Sequence, residues 1–293
     1  MERQAPPLSA TGRHSAALTL AVALLAACVS IAPRPADGPA TDNVAWLWPR
    51  LQGALAAGPR QAVLEGRASQ YGDAGALKGK IELLLDRDRG FRMTGLSPTD
   101  DVLSVVASSD ATFTAFARGG DHCHVGRPCP SNVARFASVA LAPRELAGVL
   151  LGRPPLLLGE ANLAAGDVMR WDGEARAWVF TRSLGGDSQT LWLAVSSPRI
   201  LRARLTRGGG TVVDVRYSDF AVTAAGDVPR RLDMTLARDD TDLRIEVAHL
   251  DPNPELPPEA FEAACPLGMT RDELPCLEPL PAPPAPADDG AAP

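Results

Sequence analysis

The chain has 293 residues, of which 45% are hydrophobic, and a formal net charge of −6 at neutral pH. This mild acidity excludes a nucleic-acid-binding protein, because phosphate backbones require clustered positive charge. Lysine occurs only at Lys78 and Lys80, and all other side chains of fixed positive charge are arginines. Without its low-complexity ends the chain keeps about 235 residues, enough for one sizeable core.

The N-terminus is typical of a bacterial lipoprotein signal. Basic residues precede an apolar run over 16–25, which is too short to span a bilayer and suits a signal peptide over 1–27. The run leads into residues 25–28 (LAAC), which resemble a lipobox and predict acyl chains on Cys28. An ordinary signal peptide cleaved at the same bond is the alternative. Val29, not Asp, follows the cysteine. By analogy with Gram-negative sorting, this favours the periplasmic face of the outer membrane.

Low-complexity segments flank the expected domain. Residues 28–41 are rich in Pro, Ala and Gly, which predicts a lipid-anchored tether reaching roughly 40 Å at about 3.1 Å per residue. Residues 277–293 have a similar composition and predict a disordered tail. The folded domain is therefore expected over 42–276.

The domain begins with helical periodicity and continues with strand periodicity. An N-terminal helix is predicted after a capping Thr41 or Asp42, with Pro49 kinking it or starting its second half. From Arg60 onward the apolar period changes to two, which predicts strands. These strands are placed at 61–69, 77–86, 90–95, 101–107, 111–117, 168–172, 176–183, 188–196, 199–207, 211–219, 229–238 and 241–250.

The middle of the chain and the short connections indicate the fold class. Residues 141–152 (LAPRELAGVLLG) predict a helix that Pro143 begins and Gly152 ends. Connections between strands are too short for parallel crossovers, so the sheet is expected to be antiparallel. About eleven or twelve strands with one apolar face should curl around that face. The predicted class is α+β, mainly β: an open half-barrel with an N-terminal helix and mid-chain lid helices.

Four cysteines remain outside the lipobox, namely Cys123, Cys129, Cys265 and Cys276. An even number in an oxidising compartment predicts two disulfides. Sequence order favours Cys123–Cys129 and Cys265–Cys276, each closing a short loop, and two other connectivities are open.

Patterns for catalysis are absent from the sequence. It contains no GxSxG elbow, HExxH motif or phosphate loop, and its acidic residues are scattered over predicted solvated faces. His122 and His124 flank a cysteine as zinc ligands do, but the compartment favours a disulfide with exposed histidines and no metal. His249 continues the inward register of the last strand, which favours a core or cavity-edge role. We therefore expect no enzyme, no catalytic residue and no cofactor.

The inward face of the predicted sheet would surround either a filled core or a cavity for an acyl chain, because apolar side chains serve both. Candidate lining residues are Ile81, Leu83, Leu85, Trp178, Phe180, Leu191, Leu193, Leu201, Leu205, Val213, Val215, Leu232, Met234, Leu236, Leu243, Ile245 and Val247.

Two segments resemble the LolA/LolB superfamily, and LolB-like outer-membrane lipoproteins in particular, over roughly 42–250. Residues 91–98 (FRMTGLSP) are similar to the family's strand before a Pro-Leu-Gly loop, and 141–154 resemble its helix ending in Leu-Gly-x-Pro. The resemblance implies a half-barrel whose cavity takes lipoprotein acyl chains from a soluble carrier, and a loop that enters the membrane. Leu96 and Pro98 are the membrane-loop candidates. The following residues 99–101 (TDD) depart from the family pattern, and their carboxylates are costly to press into lipid.

The predicted function is therefore that of a LolB-like lipoprotein that binds acyl chains in an apolar cavity during lipoprotein localisation. The implied partners are a membrane reached through the lipid on Cys28, a lipid or lipoprotein acyl chain, and a periplasmic carrier protein. The alternative is an envelope lipoprotein with a filled core that docks a protein partner.

Overall fold

The computed structural model describes residues 31–72, 75–156, 162–236 and 241–277. The predicted signal peptide, Cys28 and residues 278–293 of the predicted tail lie outside the described residues. The helices are α1 (Val44–Ala56), α2 (Pro130–Ala137), α3 (Pro143–Leu150) and a 3₁₀ turn (Pro258–Phe261). The strands are β1 (Gln61–Gly72), β2 (Gly75–Asp86), β3 (Gly90–Leu96), β4 (Val102–Ser108), β5 (Phe113–Ala117), β6 (His122–Gly126), β7 (Val168–Asp172), β8 (Ala177–Leu184), β9 (Asp187–Ala194), β10 (Ile200–Arg207), β11 (Gly210–Thr223), β12 (Gly226–Leu236), β13 (Thr241–Pro252) and β14 (Thr270–Leu274).

The strands of the described chain form one open sheet in the order β14-β6-β5-β4-β3-β2-β1-β13-β12-β11-β10-β9-β8-β7. Every neighbouring pair is antiparallel except β14 and β6, which run parallel. The predicted fold class is confirmed. Within the described residues the helices are all too short or too polar to cross a bilayer.

The sheet curls around α3, as expected for a long twisted sheet. This helix packs against β2 and β3. Its other side reaches the distant half of the sheet, where Tyr217 Oη in β11 donates a hydrogen bond to Val149 O at 2.9 Å. Arg207, at the end of β10, also pairs with Glu145. One short helix therefore contacts strands that lie far apart in the strand order.

The disulfides join Cys123 to Cys265 and Cys129 to Cys276, so the favoured short-loop pairing is wrong. Because β14 lies parallel to β6, the C-terminal segment runs beside the segment that carries Cys123 and Cys129. Each cysteine then has its partner on the neighbouring segment, at Cα–Cα distances of 5.7 and 6.2 Å, which suit a disulfide. Strands β6 and β14 are not among the strands predicted from the sequence.

The described part of the predicted tether packs on the domain instead of extending from it. Ala32 N donates to Gly173 O at 2.9 Å, and Trp171 Nε1 donates to Ala32 O at 3.1 Å. Farther along, Gly38 approaches the Trp178 ring so closely that an added Cβ would lie 2.4 Å from it. The reach of roughly 40 Å is therefore an overestimate, because it counted docked residues as free chain.

Two β-bulges reverse the predicted direction of two side chains. Pairing between β9 and β10 skips Leu201, which packs on the outer face beside Trp192 instead of lining the inner face. Pairing between β1 and β13 skips Ala248, so His249 is exposed and not inward as expected. A bulge adds one residue to one strand and thereby shifts the alternation.

Gly66 lies at the second bulge and is required there by close packing. A Cβ at this position would lie 2.0 Å from the carbonyl oxygen of Glu246. We expect Gly66→Ala to lower the free energy of unfolding by about 1–3 kcal/mol, since the backbone of β13 has to move. Urea unfolding measures the change, with Gly79→Ala as the control because a Cβ at Gly79 meets no atom within 4 Å. Equal stability of the two variants would contradict this account of the bulge.

Candidate functional site

One half of the concave face is filled. Helix α1 places Trp48 against Phe180 of β8, with ring centroids 5.7 Å apart. Trp178 is also fully buried there and contacts Trp46 edge-on at 5.1 Å. Beneath these rings Arg182 forms a buried ion pair with Asp167. This half of the protein is an ordinary packed core.

Arg153 fixes the end of α3 to the end of α1. Its guanidinium donates to the carbonyls of Ala57, Gly152 and Asp227, and the residue is 1% exposed. Burial lowers the pKa of Arg153, and the neighbouring charge of Arg87 lowers it further. Two of the three carbonyls follow helix C-termini, whose partial negative charge favours a cation. This contact holds α3 in place over the sheet.

The other half of the concave face contains a cavity of about 340 Å³ between the sheet and the α2–α3 segment. Its walls come from β1 to β4 on one side and β12 and β13 on the other. Side chains of α2, α3 and their connection cover it. The apolar side chains that line it are Ala68, Leu77, Ile81, Leu83, Phe91, Met93, Leu96, Leu103, Phe136, Ala137, Val139, Leu146, Leu150, Met234, Leu236, Leu243 and Ile245.

The predicted lining residues divide between the cavity and the filled core. Six of them line the cavity: Ile81, Leu83, Met234, Leu236, Leu243 and Ile245. Ten others are buried in the continuous core: Leu85, Trp178, Phe180, Leu191, Leu193, Leu205, Val213, Val215, Leu232 and Val247. Leu201, on the outer face, belongs to neither group.

The covering side chains of the cavity were not among the predicted lining residues. Leu146 and Leu150 lie one helical turn apart on α3, so the amphipathic pattern of 141–152 carried a signal for them. Phe136 lies in α2 and Val139 follows it. Helix α2 is short but amphipathic, so its pattern also carried a signal for a face that packs inward. Cys129, at the start of α2, is joined to Cys276, and this link between distant residues could not be predicted from local sequence.

The membrane-loop candidates lie at the rim of the cavity. Leu96 ends β3, is partly buried and lines the cavity, whereas Pro98 is exposed in the loop. The loop is closed by a hydrogen bond from Ser97 N to Asp101 O at 2.8 Å. Lys80 forms an ion pair with Asp100. The acidic tip is therefore held by its own contacts and by β2.

His122 and His124 contact the C-terminal strand. His122 Nδ1 lies 2.8 Å from Asp272 Oδ2, and the His124 ring packs 5.1 Å from the Phe136 ring. The neighbouring cysteines are joined in disulfides. Within the four described ranges, no three His, Cys, Asp or Glu side chains converge as metal ligands.

No protein-family model matches this sequence, and no curated protein matches it. Among solved structures, a DUF1329 family protein from Desulfovibrio piger is similar, with a TM-score of 0.51 and 12% identity over 76% of this chain and 98% of that one. A LolA superfamily protein from Nitrosomonas europaea has a TM-score of 0.48 and 14% identity over 73% and 96% of the two chains. A putative outer membrane lipoprotein-sorting protein domain from Vibrio parahaemolyticus has a TM-score of 0.47 and 10% identity. The match covers 75% of this chain and 97% of that one.

At such low identity a structural likeness carries information about fold only. Of these three structures, the DUF1329 family protein is the one whose TM-score indicates a fold shared with this chain.

Proposed function

We propose that this chain is a LolB-like envelope lipoprotein that binds acyl chains in the concave cavity, without catalysis or cofactor. The cavity is the observation that carries the proposal, because about 340 Å³ lies open between apolar walls while the adjoining half of the core is filled. Ligand pockets occupy about 300–1,000 Å³. Each buried methylene would contribute about 0.8 kcal/mol, which suits a long, weakly polar ligand.

The anchor and the docked segment support a position close to a membrane. A lipid on Cys28 would hold the chain on the outer membrane, at its periplasmic face. Only Val29, Ser30 and Ile31 separate that cysteine from Ala32, which is hydrogen-bonded to the domain. The domain would therefore stay near the bilayer and take lipoprotein acyl chains from a periplasmic carrier protein at short range.

The proposal is tested by filling the cavity. Ala68 of β1 lines the cavity, and its cross-strand neighbours are Gly79 of β2 and Ile245 of β13. A larger side chain at this position would therefore extend into the empty volume of the cavity. We expect Ala68→Phe in the full purified chain to weaken binding of a dansyl-labelled fatty acid by about tenfold, because the ring takes the place of buried methylenes. Its stability should change little.

The matched control is Ala203→Phe, at a buried alanine of the filled half. Overpacking there should lower the free energy of unfolding by about 1–3 kcal/mol and leave fatty-acid affinity of the folded fraction unchanged. Equal fatty-acid affinity of wild type and Ala68→Phe would overturn the proposal. No uptake by the wild type would favour the docking-module alternative.

A further inference from the structure

The cavity has an opening through the sheet between β2 and β3. The β2–β3 ladder ends at Lys80 and Leu96, whereas the β1–β2 ladder continues to Gly72 and Gly75. Residues 75–79 of β2 therefore have β1 beside them and lack a ladder with β3. We call this gap, bounded by 75–79, Leu96 and Leu103, the notch.

A groove of about 990 Å³ lies on the outer face of the sheet at the same notch. We call it the outer groove, and it follows the outward side chains of β1, β2 and β13. The inner cavity and the outer groove share five lining residues. These are Lys78, Gly79, Lys80, Leu96 and Leu103. The notch therefore joins the apolar interior to a polar outer surface.

The outer groove is rich in cations. Arg67, Lys78, Lys80 and Arg244 line it, against the carboxylates of Glu65 and Glu246. Both lysines of the whole chain are in this set. A chain with net charge −6 thus concentrates positive charge beside the opening of its apolar cavity.

Two of these cations have no carboxylate partner in the described parts of the chain. Lys80 pairs with Asp100, and Arg244 pairs with Asp233. Arg67 and Lys78 form no ion pair with any described residue. The carboxylate of Glu246, opposite Arg67 on β13, lies 3.8 Å from Arg231.

The register of the strands concentrates this charge further. Arg67 stands directly opposite Lys80 on β2, an arrangement of like charges that destabilises a sheet, and opposite Glu246 on β13, whose carboxylate offsets part of that repulsion. Ser69 lies between Lys78 and Arg244 in the neighbouring row. An anion placed over Arg67, Ser69 and Lys78 would relieve the repulsion and accept their hydrogen bonds.

Apolar side chains line the path between the two spaces. Leu77 is 72% exposed and Leu103 is 45% exposed, and both also line the inner cavity. An alkyl chain in the notch would cover these two leucines. In the outer groove, the ammonium group of Lys78 lies 6.0 Å from the centre of the exposed Tyr71 ring.

We propose that the notch admits the acyl chain of an anionic amphiphile and that the outer groove binds its phosphate headgroup through Arg67 and Lys78. This inference rests on the proposed function and adds the chemistry of the ligand: one apolar chain inside and a phosphate outside. The headgroup belongs to the same molecule as the chain, because the groove adjoins the cavity at the notch.

The test compares two lipids with the same palmitoyl chain, lysophosphatidic acid and uncharged monoacylglycerol, in competition with a dansyl-labelled fatty acid on the full purified chain. We expect lysophosphatidic acid to bind about fivefold more tightly at low salt, since each exposed charge contact is modest. High salt should abolish this preference by screening. In the double variant Arg67→Gln/Lys78→Gln, the ratio of lysophosphatidic acid affinity to monoacylglycerol affinity should fall to about one. The affinity for monoacylglycerol itself should be unchanged.

The matched control is Arg176→Gln/Arg216→Gln, which removes two exposed arginines that do not line the outer groove. It should keep the full preference. An unchanged preference in the Arg67/Lys78 variant, or equal binding of both lipids by wild type, would overturn the headgroup site and leave acyl-chain binding intact. Failure of both lipids to bind would instead refute the proposed function. Competition by millimolar inorganic phosphate alone would overturn the amphiphile in favour of a separate phosphate site.

Discussion

Arg182→Met is expected to lower the free energy of unfolding by about 3–5 kcal/mol, because it leaves a buried carboxylate without its partner. Arg182 and Asp167 side chains are 2% and 0% exposed. The guanidinium donates two hydrogen bonds to the carboxylate, at 2.8 and 2.6 Å, and a third to Asn162 O. It also lies 5.1 Å from the Trp48 ring, so it packs as well as pairs.

A double variant distinguishes the stranded charge from lost packing. Asp167→Leu/Arg182→Met removes both charges, and we expect it to recover much of the stability, since apolar replacements of buried ion pairs are well tolerated. The matched control is Arg204→Met, because Arg204 also pairs with an aspartate but is 46% exposed. Its loss should cost less than about 1 kcal/mol. Urea unfolding of the three variants gives these differences, and equal costs for Arg182→Met and Arg204→Met would refute the argument.

The same ion pair predicts a pH dependence. Burial alone would raise the pKa of Asp167, but hydrogen bonds from Arg182 and from Ala164 N outweigh it and lower the pKa below the ordinary 3.8. A lowered folded-state pKa stabilises the protein above the unfolded-state value, and that stability is lost as pH falls through the folded-state value. The stability gap between wild type and Arg182→Met should therefore shrink on acidification below about pH 4. A constant gap in unfolding experiments across that range would contradict this assignment.

The elements that could be predicted from sequence are those set by local pattern. Alternation of apolar and polar residues located strands β1 to β5 and β7 to β13, because each strand buries one face against the interior. Pro143 and Gly152 marked α3 for an equally local reason. Strand β14, with the sequence TRDEL, has little apolar alternation. It pairs with β6 beside the two disulfides, which connect residues distant in the chain.

The details of the candidate site depend on such distant contacts. Leu201 and His249 point outward because a β-bulge adds one unpaired residue to the strand of each. The position of a bulge depends on the neighbouring strand, which the local sequence does not identify. Whether an inward leucine meets a ligand space or a packed ring depends on what covers it. Trp48 from α1 fills the space near Phe180, while no comparable described side chain fills the space near Met234.

Removal of the two disulfides is expected to have the largest effect on stability, with unequal steps. The bonds link residues 142 and 147 apart in sequence. Either bond alone closes a long loop, worth about 5 kcal/mol in the chain-entropy estimate. With one bond formed, the other closes a much shorter circuit on the order of 15 residues, worth about 3 kcal/mol. Removal of the first disulfide should therefore lower the free energy of unfolding less than removal of the second.

Three variants in denaturant unfolding test this order: Cys129→Ser/Cys276→Ser, Cys123→Ser/Cys265→Ser, and the fourfold serine variant. We expect the free energy of unfolding to fall by about 3 kcal/mol in each double variant and by about 8 kcal/mol in the fourfold variant. The fourfold loss would therefore exceed the sum of the two double losses. Strict additivity would show that the unfolded chain does not behave as overlapping closed loops.

Cys129 is also the N-cap residue of α2, whose end covers the cavity. Loss of its bond should therefore speed release of a bound dansyl fatty acid. Loss of Cys123–Cys265, which joins β6 to the segment before β14, should not.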